Sequence, residues 1–583
     1  MKRKGFTLIE LLAVIVILAI IAVIATPMVL NTIDDARKGA AKSSAYSYID
    51  AVETEVAKYI LDNNGTSYSA GKYDISKLST DLGVEVKGDA PSAGNICIGS
   101  NGVVTKASLK INNYVVSYDG KETTTTDLDE VEDITCDGTS GEVALVGDPI
   151  LDKAKALVYD ENGTCKTDDT TYTYMGGCYI KGASTSNYVW YNGFMWRIMG
   201  INSDNTVRLI TDENVTALAY GASNTGLTYT TNEGYIHDWL NEYFYNSLNS
   251  TKSIIQEGAY FCSETTNSTL TEGRTECTSG SEVTTKVGLI ALDEYLLAKT
   301  SSSYLNIGQI FWTITPYSTS YLVWYVNSNG RASNCDVAPA NGVRPVINVR
   351  SDATITAGDG SAQLFYVLGE DKTTSITGIL SEKVTSGEYV SLEGHTYRVV
   401  SKDSDGVKLI LDGFYEETEG TSYTMAYGSN NTFTLDSGIG QKLNGDVLTW
   451  LGLSDSDKII TTTYYQGDGF GTGPAYTDTL KQSNGVEVKV GLIQVGDILA
   501  GQSSTMLTND YTTTSSYSNT TNYWTMNKYT STSSTSNAWY VGNYGNASSY
   551  GVTYPFGVRP VIKVSTSLTI SGGNGTWTSP YQI

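Results

Sequence analysis

The sequence predicts an α+β multidomain protein, in which a long N-terminal helix and a small antiparallel-sheet head precede two α+β repeat domains. Three observations predict this architecture. An apolar run near the N-terminus is long enough to cross a membrane, and helical periodicity continues beyond it. Motifs in the middle of the chain recur about 200 residues later. The chain has 583 residues, which is too long for one ordinary domain.

The first predicted element is a membrane-spanning helix over residues 6–26. These 21 residues contain a single acid, Glu10. At roughly 1.5 Å per residue they span the hydrocarbon core of a bilayer. Three positive charges at residues 2–4 precede the run, and such charges keep the start of a chain in the cytoplasm. An ordinary secretory signal would instead end at a small-residue cleavage site, for which residues 23–25 are the available candidate.

The helix is predicted to continue beyond the membrane as an amphipathic rod that ends at residue 63. Pro27 is expected to kink it where the membrane part meets the soluble part, and the turn-forming residues 63–65 are expected to end it. Apolar residues recur at steps of three or four, with charged residues between them, so one stripe should pack against a folded head. The apolar positions are Tyr46, Ile49, Val52, Val56 and Ile60.

The extreme N-terminus carries a further pattern. Gly5 precedes Phe-Thr-Leu-Ile-Glu at residues 6–10, and Pro27 follows the apolar helix. Over residues 1–60 this pattern resembles the type IV pilin and type II secretion pseudopilin family. The resemblance implies that a membrane prepilin peptidase cuts between Gly5 and Phe6 and methylates the new amine of Phe6. It also implies that Glu10 pairs with the N-terminal amine of a neighbouring pilin or pseudopilin subunit, because the two charges cost less when they are desolvated together. The alternative is an uncleaved signal anchor with a chance acid.

This resemblance divides the N-terminal part of the chain. Residues 1–5 would be a leader peptide, residues 6–63 the pilin helix and residues 64–145 a pilin head, in which alternating apolar stretches predict a small antiparallel sheet. The protein is expected in the cell membrane before assembly and at the cell surface, in an extracellular fibre, afterwards. The sequence leaves open whether that fibre is a pilus or a secretion pseudopilus.

Six of the seven cysteines are predicted to form disulfides with their neighbours in sequence, in an oxidising compartment. No Cys-x-x-Cys motif occurs, which argues against zinc knuckles and thiol redox chemistry. Spacing does not establish connectivity, and buried free thiols are the alternative. The resemblance implies that the first pair closes the far edge of the head. The predicted pairs are Cys97–Cys136, Cys165–Cys178 and Cys262–Cys277, with Cys335 left over.

Beyond a linker at residues 137–150, one domain occurs twice. We call residues 150–370 the first repeat and residues 378–583 the second repeat. The two copies share several motifs in the same order and close on Gly-Val-Arg-Pro-Val-Ile. The matching segments are 286–290 and 489–493, 324–326 and 539–541, and 342–347 and 557–562.

Helices beside a strand-rich, irregular second half make each repeat similar to the C-type-lectin-like fold. The shared ending also resembles repeat domains of large surface proteins of Gram-positive bacteria. The triplets of calcium-dependent sugar binding (EPN or QPD, and WND) are absent, so neither a metal site nor a cofactor is expected. Arg344 and Arg559 of the shared ending either bind a ligand carboxylate or, as is more usual, hold carbonyl groups of their own domain.

Composition and motifs favour a binding or structural role over catalysis. With 62 Asp+Glu against 38 Lys+Arg, the net charge of −24 disfavours a nucleic-acid partner. No nucleophile–base set, P-loop or dinucleotide fingerprint occurs, so no enzyme is expected, and a glycan-active carboxylate pair is the less favoured alternative. The leading hypothesis is a minor pilin or pseudopilin whose repeats bind an extracellular glycan or protein. The alternative is a purely structural subunit whose repeats cap or prime the fibre.

The composition also indicates where such a ligand would bind. The chain contains 42 Tyr, an excess of the aromatic residue with a polar tip. Residues 509–556 are dominated by Tyr, Asn, Ser, Thr and Gly, as evolved paratopes are. On a lectin-like scaffold such a stretch resembles the hypervariable face of retroelement-diversified proteins, whereas the alternative is soluble filler. The candidate ligand-binding residues are Tyr523, Tyr529, Tyr544 and Tyr550.

Overall fold

In the part of the chain that the structure describes, more residues lie in strands than in helices. Strands account for 39% and helices for 20%, and the strands are divided among many small sheets. The predicted α+β fold with a long N-terminal helix and two α+β repeats is therefore wrong. The sequence alternates short runs rich in Thr, Tyr and Val with Gly and Asn turns, which favours strands over helices. Within the described residues, no helix is long and apolar enough to cross a membrane, and residues 6–26 lie outside them.

The structure is a computed structural model, and it divides the chain into two compact units, Met1–Val143 and Ala144–Ile583. Both repeats lie in the second unit. The described residues are 37–56, 58–59, 71–84, 89–98, 104–118, 123–126, 131, 134, 148–184, 186–222, 229–230, 233–248, 250–263, 277, 281–300, 302–317, 321–355, 358–369, 372, 375–418, 421–467, 469–499, 522–531 and 534–583.

The first unit contains a helix at residues 37–56 that shares one hydrophobic core with a five-stranded antiparallel sheet. A second helix, Ile75–Leu82, begins where the Asp74 carboxylate accepts the N–H of Ser76 at 2.8 Å, and it ends at Gly83 in the left-handed conformation. The strands, in sheet order, are Gly71–Asp74, Ala93–Ile98, Val104–Ile111, Tyr114–Tyr118 and Thr123–Thr126.

The buried stripe of the 37–56 helix differs from the predicted one at its first position. Tyr46 is 41% exposed, whereas Tyr48 is buried with the rest of the core. The small residues Ala41 and Ala45 precede Tyr48 at helical spacing and let the helix lie close to the sheet. Glu53 also faces inward, because its carboxylate accepts the N–H of Val104 at 2.9 Å.

In the second unit, each repeat contains a main sheet and a minor sheet. In the first repeat, the main sheet has the order Val287–Gly288, Val346–Val349, Val207–Thr211, Phe194–Ile201, Gly177–Ile180 and Thr171–Tyr174, with Tyr188–Tyr191 paired to Phe194–Ile201 and to Tyr366–Val367. Its minor sheet has the order Thr216–Leu218, Asn341–Val343, Phe311–Pro316, Leu322–Val326 and Ala332–Asp336.

Corresponding strands occupy the same positions in the second repeat. The main sheet there has the order Val490–Gly491, Val561–Ser565, Gly406–Leu411, His395–Lys402, Tyr389–Leu392 and Tyr581–Gln582. Its minor sheet has the order Thr424–Met425, Phe556–Gly557, Tyr523–Ser531, Ser534–Val541 and Ala547–Gly551. The hairpin of Thr171–Tyr174 and Gly177–Ile180 has no counterpart among the described residues of the second repeat, and we call it the extra hairpin.

Each repeat also has a side hairpin and a closing pair. The side hairpins join Ala259–Cys262 to Glu282–Thr285 in the first repeat and Thr462–Tyr465 to Gly485–Val488 in the second. In a closing pair, the first strand of a repeat lies antiparallel to a strand near its end. The closing pairs are Asp148–Pro149 with Thr354–Ile355 and Gly378–Ile379 with Thr569–Ile570.

The helices of the second unit are short. Each repeat has one helical segment that contains a π-helical stretch, in which an asparagine side chain binds the backbone of a main-sheet strand. Asn241 bonds both the N–H and the carbonyl of Val287, and Asn444 does the same with Val490. These segments are Ile236–Asp238, Trp239–Phe244 and Tyr245–Ser247, and Gly438–Lys442, Leu443–Val447 and Leu448–Trp450. The other helices are Ile150–Val158, Ser250–Ile254, Leu292–Ala298, Leu380–Lys383, Tyr476–Thr479 and Val495–Leu499.

The shared arginines are structural. Arg344 is 0% exposed, and its guanidinium donates to the carbonyls of Thr211 at 3.0 Å and Leu305 at 2.9 Å. Arg559 is 1% exposed and donates to the carbonyl of Leu411, the counterpart of Thr211, at 2.7 Å. Such buried arginines hold their own domain together and present no charge to a ligand.

The two repeats pack against each other around a buried contact between an arginine and a glutamate. Arg398 of the second repeat lies 3.4 Å from Glu213 of the first, and both side chains are less than a tenth exposed. Main-chain hydrogen bonds also cross between the repeats, from Ile310 N–H to the Tyr544 carbonyl at 2.7 Å and from Ala547 N–H to the Ala340 carbonyl at 2.9 Å. The two repeats therefore belong to one compact unit.

This buried contact predicts a pH-dependent stability. Burial raises the pKa of Glu213 to about 8, with Asp212 and Asp412 adding to the rise and Arg398 opposing it. The folded protein thus holds a proton that the unfolded chain, with a glutamate pKa near about 4.3, releases. Stability should fall as pH rises from about 4.3 to 8, by at most about 1.4 kcal/mol per pH unit from this group. Urea unfolding at a series of pH values should show this slope, and Glu213→Gln should remove it. An unchanged slope in Glu213→Gln would contradict the assignment.

Candidate binding surface

The residues predicted to act in processing and assembly are Gly5, Phe6 and Glu10, and all three lie outside the described residues. The candidate site that the structure does describe is the aromatic surface of the second repeat. Among the described residues, no group of three or more His, Cys, Asp or Glu side chains is placed to hold a metal ion.

Two disulfides lie in the first repeat. Cys165 bonds Cys178 and Cys262 bonds Cys277, each with a Cα–Cα distance of 5.7 Å. The first disulfide holds the extra hairpin and the second holds the side hairpin.

Cys97 of the first unit is disulfide-bonded, and Cys136 lies outside the described residues. Cys335 is a free thiol that accepts the Asn341 amide N–H at 3.7 Å, and burial raises its pKa to about 12, so it is a poor nucleophile.

Two of the four predicted ligand-binding tyrosines are not free surface residues. Tyr523 is 3% exposed, and its hydroxyl accepts from the Arg559 guanidinium at 3.4 Å. It therefore belongs to the core, because its strand is the central one of the minor sheet. Tyr529 is partly buried, with its ring 5.7 Å from that of Trp539 and its hydroxyl 2.9 Å from that of Thr472.

Tyr544 and Tyr550 are exposed, at 48% and 40%. Tyr544 lies in the turn after strand Ser534–Val541, where its carbonyl contacts the first repeat. Tyr550 lies on the edge strand Ala547–Gly551 of the minor sheet. The first repeat contacts the turn at Tyr544 and the start of the strand at Ala547, whereas the side chain of Tyr550 stays exposed.

Tyr550 is the centre of a group that we call the tyrosine cluster, which comprises Tyr540, Tyr550, Tyr554 and Phe556. Its ring lies 4.6 Å from that of Tyr554 and 6.2 Å from that of Tyr540, both edge to face, and 5.6 Å from that of Phe556. Tyr554 is 53% exposed. A hydrogen bond to Tyr554 raises the pKa of Tyr550 above its ordinary value, so the Tyr550 hydroxyl stays protonated at neutral pH. The cluster offers ring faces and hydroxyl donors together.

The sequence prediction missed Tyr554 and the packing of Phe556 beneath it. A signal for them lay in the comparison of the two repeats. Cys335, Pro339 and Asn341 of the first repeat stand where the second repeat has Tyr550, Tyr554 and Phe556, because the Trp-Tyr-Val motifs align these segments. The shared framework therefore does not require the cluster, which is specific to the second repeat.

The N-terminal pattern was compared with known families. Residues 1–26 match the prokaryotic N-terminal methylation motif. The match confirms the pilin-like prepilin segment and indicates a pilin- or pseudopilin-type surface protein. The motif implies cutting by a prepilin peptidase, a membrane anchor before surface exposure, and assembly with other pilins. Neither a characterised protein nor a solved structure matches the chain.

Proposed function

We propose that this protein is a minor pilin or pseudopilin subunit of a type IV pilus or a type II secretion-like fibre. The observation that carries the proposal is the methylation motif at residues 1–26, which contains Gly5, Phe6 and Glu10 at the positions that processing and assembly need. The acidic composition disfavours a nucleic-acid partner. The role is one of binding and assembly, and not of catalysis.

In this proposal the second unit faces the cell's surroundings and binds a glycan or protein there through the tyrosine cluster. Tyr550 and Tyr554 support it, because they combine high exposure with mutual hydrogen bonding and edge-to-face packing. Tyrosine gives a large contact area at a low cost in conformational entropy. The absence of these aromatics from the matching positions of the first repeat supports a role beyond folding.

Glu10→Ala tests the assembly role. The variant should be exported and cut normally but should be missing from the fibre, because its carboxylate no longer neutralises the amine of a neighbouring subunit in the apolar membrane. Shearing of cells followed by immunoblotting measures incorporation, and the expected reduction is at least tenfold. Glu55→Ala, which removes an acid paired with Lys58 on the 37–56 helix, is the matched control and should assemble normally. Normal incorporation of Glu10→Ala would refute the role of Glu10.

Tyr550→Ser/Tyr554→Ser tests the binding role. This double variant should reduce attachment of cells to host or glycan surfaces at least tenfold, with an unchanged melting temperature, because both side chains are largely exposed. Tyr321→Ser changes a tyrosine of the first repeat that is 43% exposed and should attach like the wild type. Unchanged attachment by the double variant would instead favour a purely structural subunit that caps or primes the fibre.

A further inference from the structure

Tyr550 and Tyr554 form the closest pair of tyrosine rings in the described part of the chain. Their ring centroids are 4.6 Å apart and the ring planes lie at 84°, so the edge of one ring faces the other. The other tyrosine pairs in that part have centroids at least 5.2 Å apart. The hydroxyls of Tyr550 and Tyr554 are also hydrogen-bonded to each other. The ortho carbons, which flank the hydroxyl-bearing carbon of each ring, are therefore brought close together.

This pair also differs from the other tyrosine pairs in its exposure. Tyr550 and Tyr554 are both at least 40% exposed, so dissolved reagents reach both rings. In every other tyrosine pair among the described residues, at least one ring is buried or half-buried. The stacked pair of Tyr172 and Tyr179, for example, is 5.4 Å apart but almost fully buried. Contact and accessibility thus coincide at a single pair.

The backbone keeps the two rings side by side. The Tyr554 N–H donates to the Gly551 carbonyl at 3.1 Å, so Tyr550 and Tyr554 flank a tight turn at the end of the edge strand. Val552 in this turn is 1% exposed, and its N–H donates to the Ser536 carbonyl of the neighbouring strand at 3.0 Å. The turn is therefore tied to the minor sheet of the second repeat.

The protein carries signs of an oxidising environment. The methylation motif indicates a chain that becomes exposed at the cell surface. The first repeat contains the disulfides Cys165–Cys178 and Cys262–Cys277, and such bonds persist in oxidising compartments. An exposed phenol that meets a one-electron oxidant becomes a phenoxyl radical, and part of its unpaired electron resides on the ortho carbons. Two phenols in contact are then placed to couple.

We propose that Tyr550 and Tyr554 are a site of oxidative coupling, at which a peroxidase and hydrogen peroxide join the two rings into bityrosine. Each phenol gives up one electron and one proton to become a radical. The two radicals form one carbon–carbon bond between their ortho carbons, and each ring then moves its ortho hydrogen to the oxygen and regains its aromaticity. One hydrogen peroxide accepts the two electrons and two protons and becomes two water molecules.

Coupling within one chain is favoured over coupling between chains, because the two rings are already in contact. The new bond would fix both side chains and the turn between them. A surface fixed in this way loses less conformational entropy in any later contact. The reaction itself does not depend on what the tyrosine cluster binds.

The first test oxidises the full chain, in detergent and at high dilution, with a haem peroxidase and hydrogen peroxide. The digested product is then measured by mass spectrometry. The peptide that contains residues 550–554 should lose two hydrogen atoms, and fragments that end between the two tyrosines should be missing because the side chains hold the pieces together. The fluorescence of bityrosine should appear while the chain stays monomeric on a denaturing gel. Unmodified tyrosines in this peptide, or coupling between chains alone, would overturn the proposal.

Two variants separate contact from exposure. Tyr554→Phe keeps the ring but removes the phenol, and it should lower the yield of the modified peptide roughly tenfold or more. Tyr544→Phe changes a tyrosine that is 48% exposed and lies outside the pair, so it should leave the yield unchanged. Both changes are at the surface, and equal melting temperatures would show that the fold is intact. A yield that falls equally in both variants, or in neither, would contradict coupling at Tyr550 and Tyr554.

Discussion

Gly5→Ala is expected to leave the chain entirely uncut, with Met1 or Lys2 at its N-terminus. The reason is steric, since an added Cβ obstructs the peptidase subsite that a glycine fits. The wild-type chain should begin at Phe6 with a methylated amine, as the motif at residues 1–26 implies. Mass spectrometry of the N-terminal peptide, from protein purified from the membrane and from the sheared surface fraction, measures both states.

A second glycine provides the control for this experiment. Gly39 lies in the 37–56 helix, and a Cβ built on it meets no atom within 4 Å. Gly39→Ala should therefore be cut and exported normally, so a defect in Gly5→Ala alone would be specific to processing. A wild-type chain that still begins at Met1, or one cut after Ala25, would remove the pilin-type processing from the proposal.

Arg344→Met should cause the largest loss of stability of any single change considered. The side chain is 0% exposed, and it donates to three carbonyls, those of Thr211, Leu305 and Asp212. Methionine fills a similar volume but leaves those carbonyls buried without donors, at an expected cost of roughly 3–5 kcal/mol. Arg344→Lys should recover little of this cost, because one ammonium does not reproduce the guanidinium fork. Urea unfolding measures the change in the free energy of unfolding.

Arg350→Met is the matched control, because Arg350 lies one strand further along the chain and is exposed. It forms an ion pair with Asp352 at 2.7 Å on the surface. Exposed pairs contribute about 0–1 kcal/mol, so this variant should unfold almost as the wild type does. If Arg344→Met and Arg350→Met had the same stability, the guanidinium of Arg344 would not be a structural element.

The sequence predicted best those features that depend on residues close together in the chain. The methylation motif depends on adjacent residues such as Gly5 and Phe6, and each described disulfide joins cysteines only 13 or 15 residues apart. Shared motifs also placed Arg344 and Arg559 at the same point of both repeats. In each case the residues involved are close in sequence or occur again in the second repeat, so the sequence alone indicates them.

The sequence alone did not indicate contacts between residues that are far apart in the chain. Glu213 and Arg398 are 185 residues apart, and nothing beside either residue indicates that it is buried against the other. The burial of Tyr523 had the same cause. A strand rich in Tyr and Thr alternates polar and apolar groups on both faces, so its inward face depends on which strands flank it. The order of the strands within each sheet likewise depends on pairings between distant segments, which no local pattern indicates.

A pull along the chain would meet a closing pair at one end of each repeat and the main sheet at the other. Asp148–Pro149, where the chain enters the first repeat, lies antiparallel to Thr354–Ile355. Before it leaves that repeat, the chain returns to the main sheet, where Tyr366–Val367 lies parallel to Tyr188–Tyr191. Gly378–Ile379 and Tyr581–Gln582 give the second repeat the same geometry. Tension from the N-terminal side would therefore load the few hydrogen bonds of a closing pair, whereas tension from the C-terminal side would load a strand of the main sheet.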